Sequence, residues 1–66
     1  MTERMLSYVD SWNQQHPNHL LVVVELEARY TAIIYPKNTK NDSFVFRTYS
    51  VNENEIYDTI NQLNFI

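Results

Sequence analysis

The chain has 66 residues, 44% of them apolar and 14% aromatic, with eight acids against five bases and a net charge of −3. A chain of this size buries only about 60% of its unfolded surface, which predicts one small domain, residues 1–66, with a thin core and little depth for a substrate cleft. It contains no cysteine and no glycine, so disulfides, thiolate chemistry, cysteine-ligated zinc and glycine-rich phosphate loops are all excluded.

The bases Arg4, Arg29, Lys37, Lys40 and Arg47 are scattered along the chain. Nucleic-acid binding draws its affinity from clustered Lys and Arg, so no nucleic-acid partner is expected. Glu3, Arg4 and Asp10 interrupt any apolar leader, and the longest apolar run, residues 20–24, is far too short to span a bilayer. A cytoplasmic protein without a membrane partner is expected.

The first predicted element is a helix over residues 3–15. Met5, Val9 and Trp12 fall on one stripe at a 3.6-residue period, with Leu6 beside them. Thr2 is placed to cap its start, and Pro17 disfavours helical geometry at His16. Residues 20–28 follow as a strand, on the β-branched run Val22-Val23-Val24. Counting apolar residues on the two faces predicts that Leu20, Val22, Val24, Leu26 and Ala28 point to the core. Leu21, Val23, Glu25 and Glu27 then face away.

Residues 30–35 form a second strand. One continuous strand over 20–35 would span roughly 53 Å, about twice the width of a globule of this size, so the chain turns near Glu27-Ala28-Arg29. With no glycine or asparagine there, a tight primed turn is not signalled. A wider loop, or a single non-glycine residue at positive φ, is expected instead. Residues 36–42 read as a loop and 43–49 as a third strand, with Phe44 and Phe46 inward and Val45, Arg47 and Tyr49 outward. Asn52 and Glu55 have the spacing of a capping box, and Val51 and Ile56 that of a hydrophobic staple. They open a helix over 53–63 whose stripe is Ile56, Ile60 and Leu63. Phe65 and Ile66 are expected to pack. The predicted fold is α+β, ordered α-β-β-β-α, an antiparallel three-stranded sheet with both helices on one face.

Few residues point to chemistry. His16 and His19 flank a proline, which breaks the helical spacing that would aim both at one metal ion, so they are assigned to an exposed loop and not to a metal site. Asp10, Ser11 and His16 supply the residue types of a hydrolase triad without a nucleophile elbow or a glycine-shaped oxyanion loop. No catalytic residue, no cofactor and no enzyme activity are expected. The remaining feature is the sheet face opposite the helices. On the facing derived above, Leu21, Val23, Glu25, Glu27, Val45, Arg47 and Tyr49 line it, half apolar and half charged. Such patches mark protein contacts, so a regulatory or interaction protein is expected, pairing with itself as a homodimer or higher, or with a larger protein, through this face or a sheet edge. Two alternatives remain open. Glu25, Glu27, Glu53, Glu55 and Asp58 would suit a phage-type inhibitor that imitates nucleic acid on a host enzyme. The α-β-β-β-α order is also that of small toxin ribonucleases.

The stretch from His16 through Pro17, Asn18, His19 and the run Leu20 to Val24 to Glu27, followed by an apolar strand, resembles the opening of a small uncharacterised domain family of cyanobacteria and plastids. The likeness covers about residues 3–35 and implies a short helix and a His-Pro turn ahead of a valine-rich hairpin. The family's glycine-containing hairpin turn and the longer loop after it are missing here, and the resemblance implies no catalytic residues.

Overall fold

A computed structural model describes residues 1–37 and 44–63. Five elements follow in the order α1 (Glu3–Gln15), β1 (His19–Leu26), β2 (Arg29–Pro36), β3 (Phe46–Ser50) and α2 (Glu53–Asn61). The strands form one antiparallel sheet in the order β1-β2-β3. Both helices pack on the same face, because a single core cluster joins Met5 and Trp12 of α1 and Ile56, Tyr57 and Ile60 of α2 to Leu21, Val23, Ala32 and Ile34 of the sheet. No helix among the described residues is long and apolar enough to cross a membrane.

Local chemistry sets the helix ends. Thr2 caps α1 by accepting from the Met5 amide at 3.1 Å. At its other end the imidazole of His16 stacks on Trp12, with centroids 3.9 Å apart, and its Nδ1 lies 2.7 Å from the Trp12 carbonyl. A carbonyl only accepts, so Nδ1 carries the proton and satisfies one of the carbonyls that a helix end leaves unpaired. Asn52 caps α2 through the Asn54 amide at 2.9 Å. Glu55 does not reach back to the Asn52 amide directly. Ser50 relays between them, donating its hydroxyl to Glu55 at 2.6 Å and accepting from the Asn52 N–H at 3.0 Å. The staple does not form: Ile56 is fully buried, whereas Val51 is 73% exposed. α2 ends two residues early, at Asn61, closing with bonds from the Gln62 and Leu63 amides to the Thr59 and Ile60 carbonyls. The expected packing of Phe65 and Ile66, most of the predicted 36–42 loop and the start of the third strand at Ser43 lie outside the described residues.

β1 turns inward the face opposite to the one its composition suggests. Leu21 and Val23 are buried at 1% and 8% exposure, and Leu20, Val24 and Leu26 are exposed. The pairing Leu21–Ile34–Phe46 and Val23–Ala32–Thr48 lays two cross-strand rows beneath the helices. Residues 20–24 are apolar on both faces, so strict alternation is absent there. Glu25 and Glu27 are exposed because they lie past the part of the strand that packs in the core, not because their face is the wet one. Ala28 is in the turn and belongs to no strand.

The outer edge of β1 is not bare. Asn13 of α1 accepts from the Leu21 N–H at 2.7 Å and donates its amide to the Leu21 carbonyl at 3.2 Å, taking the place of a neighbouring strand at that residue. Unpaired strand edges template aggregation. Asn13→Ala is therefore expected to cost about 1–3 kcal/mol through lost partners for Leu21 and to raise light scattering on warming. An unchanged melting temperature would refute this edge role.

A second polar cluster joins the two helix N-termini. Thr2 Oγ1 donates to the Glu53 carboxylate at 3.0 Å, Tyr57 donates to the same carboxylate, and Arg4 donates to Asn54 at 2.9 Å while its guanidinium lies 4.3 Å from the Tyr57 ring centre. Burial first, and then the hydrogen bond and charge of Glu53, push the Tyr57 phenol from its ordinary value of 10.0 up to about 12. A raised folded-state value stabilises the protein while the phenol is protonated. The contribution is whole below pH about 10 and is lost as pH climbs toward about 12. Tyr57→Phe should flatten that alkaline fall in melting temperature; an unaltered slope would show that another group causes it.

Candidate interaction surface

The sheet face away from the helices carries three further rows: Val22–Ile33–Arg47, Val24–Thr31–Tyr49, and the end pair Leu26–Arg29, with Leu20 opposite Tyr35 at the other end. Val22 and Ile33 are half-buried at its centre by their neighbours. Around them Leu20, Val24, Leu26, Val45 and Tyr49 are between 39% and 70% exposed. No described residue covers this face. A shallow depression at the turn end is lined by Leu26, Glu27, Arg29, Thr31 and Tyr49, which confirms that these side chains share one side.

Of the seven residues expected to line the open face, four lie on it or at its rim. Arg47 and Tyr49 are exposed there from β3, Val45 is exposed just before that strand, and Glu27 sits at the turn. Leu21 and Val23 are corrected to the core. Glu25 is exposed, but it belongs to the helix-covered side, where it pairs with the Met1 α-ammonium at 2.8 Å. That cation, by hydrogen bond and by charge, holds the Glu25 carboxyl below its ordinary value. Leu20, Val22, Val24 and Leu26 take the places of Leu21 and Val23, so the exposed face is more apolar than the sequence pattern implied. Phe44 is also corrected. It was expected to point into the core, yet it is 49% exposed, with the Arg47 guanidinium 5.7 Å from its ring and 4.8 Å from that of Tyr49. Its strand begins only at Phe46, so the alternation that places Phe46 inward does not reach back to Phe44.

No family model, curated protein or solved structure matches the chain. The candidate triad is not assembled: Asp10 accepts from Gln14 at 3.1 Å and lines a groove beside β1 with Leu6, Asn13 and Val22. Ser11 and His16 line a different depression with Tyr8 and Asn61. His16 spends its Nδ1 proton on the helix end. Among the described residues, no group of three His, Cys, Asp or Glu is placed to hold a metal ion. The acids proposed to imitate nucleic acid do not form one surface either. Glu53 is tied up with Thr2 and Tyr57, Glu25 with the α-ammonium, and Glu27 lies at the turn on the opposite side.

Charge is distributed unevenly between the two sides. Arg29 and Arg47 stand on the open face, where the only acid among the described residues is Glu27 at its rim. Glu3 and Asp10 lie on α1, Glu53, Glu55 and Asp58 on α2, and Glu25 on the covered side of the sheet. A chain of net negative charge thus turns an apolar face edged with arginine outward.

Proposed function

We propose that this protein is a non-catalytic docking module that binds another protein surface through its open sheet face, in a regulatory or adaptor role. The observation that carries it is the contiguous run of Val22, Ile33, Val24 and Tyr49, extended by Leu20, Leu26 and Val45, with no described residue over it. An antiparallel sheet tolerates one wet face when that face alternates to polar residues. On β1 this face has no polar residue between Leu20 and Leu26. Contiguous exposed apolar area of this kind marks contact sites.

The test compares the wild type with a Val24→Asp, Leu26→Asp variant. Proteins retained by the immobilised wild type from cells that make it are identified, purified and titrated against both forms. The variant is expected to stay folded with a cooperative melt, each aspartate costing at most about 1 kcal/mol of strand propensity, and to lose affinity by at least about tenfold, since a buried unpaired charge at an interface costs more than one factor of ten. Equal binding by both forms would refute docking through this face.

A further inference from the structure

Resting on the docking role just proposed, we infer that the occupant of the open face is an acidic amphipathic helix of another protein, and not a second copy of this chain. Width and length come first. Three strands about 4.8 Å apart give a strip roughly 10 Å between its outer strands, enough to seat a helix of about that diameter, as the covered face seats two. β1 and β2 have eight residues each, about 26 Å of strand, which matches some five turns of helix. The covered side of the same sheet already takes helices whose apolar stripes meet Leu21, Val23, Ala32 and Ile34.

Charge then selects among occupants. The aliphatic residues of β1 and Ile33 would receive the helix's apolar stripe, while Arg47 on β3 and Arg29 beside the turn stand where that helix's flanking residues would fall. Arg47 is held in place between the rings of Tyr49 and Phe44, and neither arginine has a carboxylate partner among the described residues. Acids flanking the stripe would pair with both. A second copy laid face to face would instead bring two further arginines into the same contact, opposed only by the rim glutamates, and like charges within an interface select against a partner. Single-stranded nucleic acid would use the arginines and the rings of Tyr49 and Phe44. It would leave the four aliphatic side chains of β1 without a stacking role, since bases stack on aromatic rings.

The probes are two synthetic amphipathic peptides of about 18 residues, roughly five helical turns. They carry the same leucine stripe, flanked in one by glutamate and in the other by lysine. Binding to isotope-labelled protein is followed by amide chemical shifts, alongside an oligothymidylate probe and sedimentation of the protein alone. The glutamate peptide is expected to bind at least about tenfold tighter than the lysine peptide at low salt, perturbing Val22, Val24, Ile33 and Tyr49. An Arg29→Glu, Arg47→Glu variant should reverse that preference. Equal or preferential binding of the lysine peptide, or failure of both, would overturn the acidic helix while leaving the docking role to the Val24→Asp, Leu26→Asp comparison. Concentration-dependent dimerisation through the same amides would show that a second copy is the occupant, and tighter binding of the oligothymidylate would show that nucleic acid is. Either would overturn the inference.

Discussion

Val23→Asp is expected to unfold the protein, and Val24→Asp, one residue further along the same strand, is expected to leave it folded. Val23 is 8% exposed beneath the helices, packed with Ala32 in the central row, whereas Val24 is 47% exposed on the open face. Replacing Val23 removes about 1.5–3 kcal/mol of side-chain burial and puts a carboxylate where no partner stands, which costs several kcal/mol more. A folded chain of 66 residues has roughly 3–10 kcal/mol in all, so the variant should lose its cooperative melt. Val24→Asp gives up strand propensity of at most about 1 kcal/mol, about 4–8 °C in melting temperature. Circular dichroism melts of the two variants decide the matter. A folded Val23→Asp beside an unfolded Val24→Asp would mean that β1 faces the other way.

Several features of the fold were legible because single residues dictate them. Thr2 and Pro17 bound α1, Asn52 opens α2, and the stripes Met5–Trp12 and Ile56–Ile60 need one shared face, which gives the element order and the side on which the helices sit. The facing of β3 was also readable at Phe46, Arg47 and Tyr49, since a charged residue separates the aromatics. β1 offered no such discrimination. Its five consecutive apolar residues fit either phase, and counting favoured Leu20, Val22, Val24 and Leu26 over the pair that packs. The face that packs is chosen by the partner strand, where small Ala32 and fully buried Ile34 meet the helices and the bulkier Tyr35 does not. The open side of the sheet was therefore legible at Arg47 and Tyr49, while on β1 Leu21 and Val23 exchange places with their neighbours. The separation of arginine from acid across the two sides was not legible either, because it depends on that same phase.

The turn between β1 and β2 is expected to be a site where substitution stabilises the protein. Leu26 and Arg29 are the last pair of the hairpin, so Glu27 and Ala28 alone make the connection. Their φ angles are 53° and 60°, the left-handed pair that a two-residue primed turn requires and that asparagine and glycine supply. A side chain with a Cβ costs about 1–2 kcal/mol in that region. Glu27→Asn with Ala28→Gly should relieve much of this, offset by about 0.5–1 kcal/mol for the extra freedom of glycine in the unfolded chain. The net gain should be about 1–2 kcal/mol, roughly 4–16 °C in melting temperature. Ala28→Val, with a branched Cβ at positive φ, should move it the other way. A double variant no more stable than the wild type would show that the turn is unstrained. The chain tolerates the strain because register decides what is buried. Slipping the pairing by one residue would carry a strand's whole apolar set to the opposite face, taking Leu21 and Val23 or Ala32 and Ile34 out of the core. Each large side chain among them is worth about 1.5–3 kcal/mol of burial, so losing a strand's set costs as much as the turn or more. The face these pairs define outranks the preference of two turn residues, and the same register keeps Leu20, Val22, Val24 and Leu26 turned outward on the surface proposed to dock.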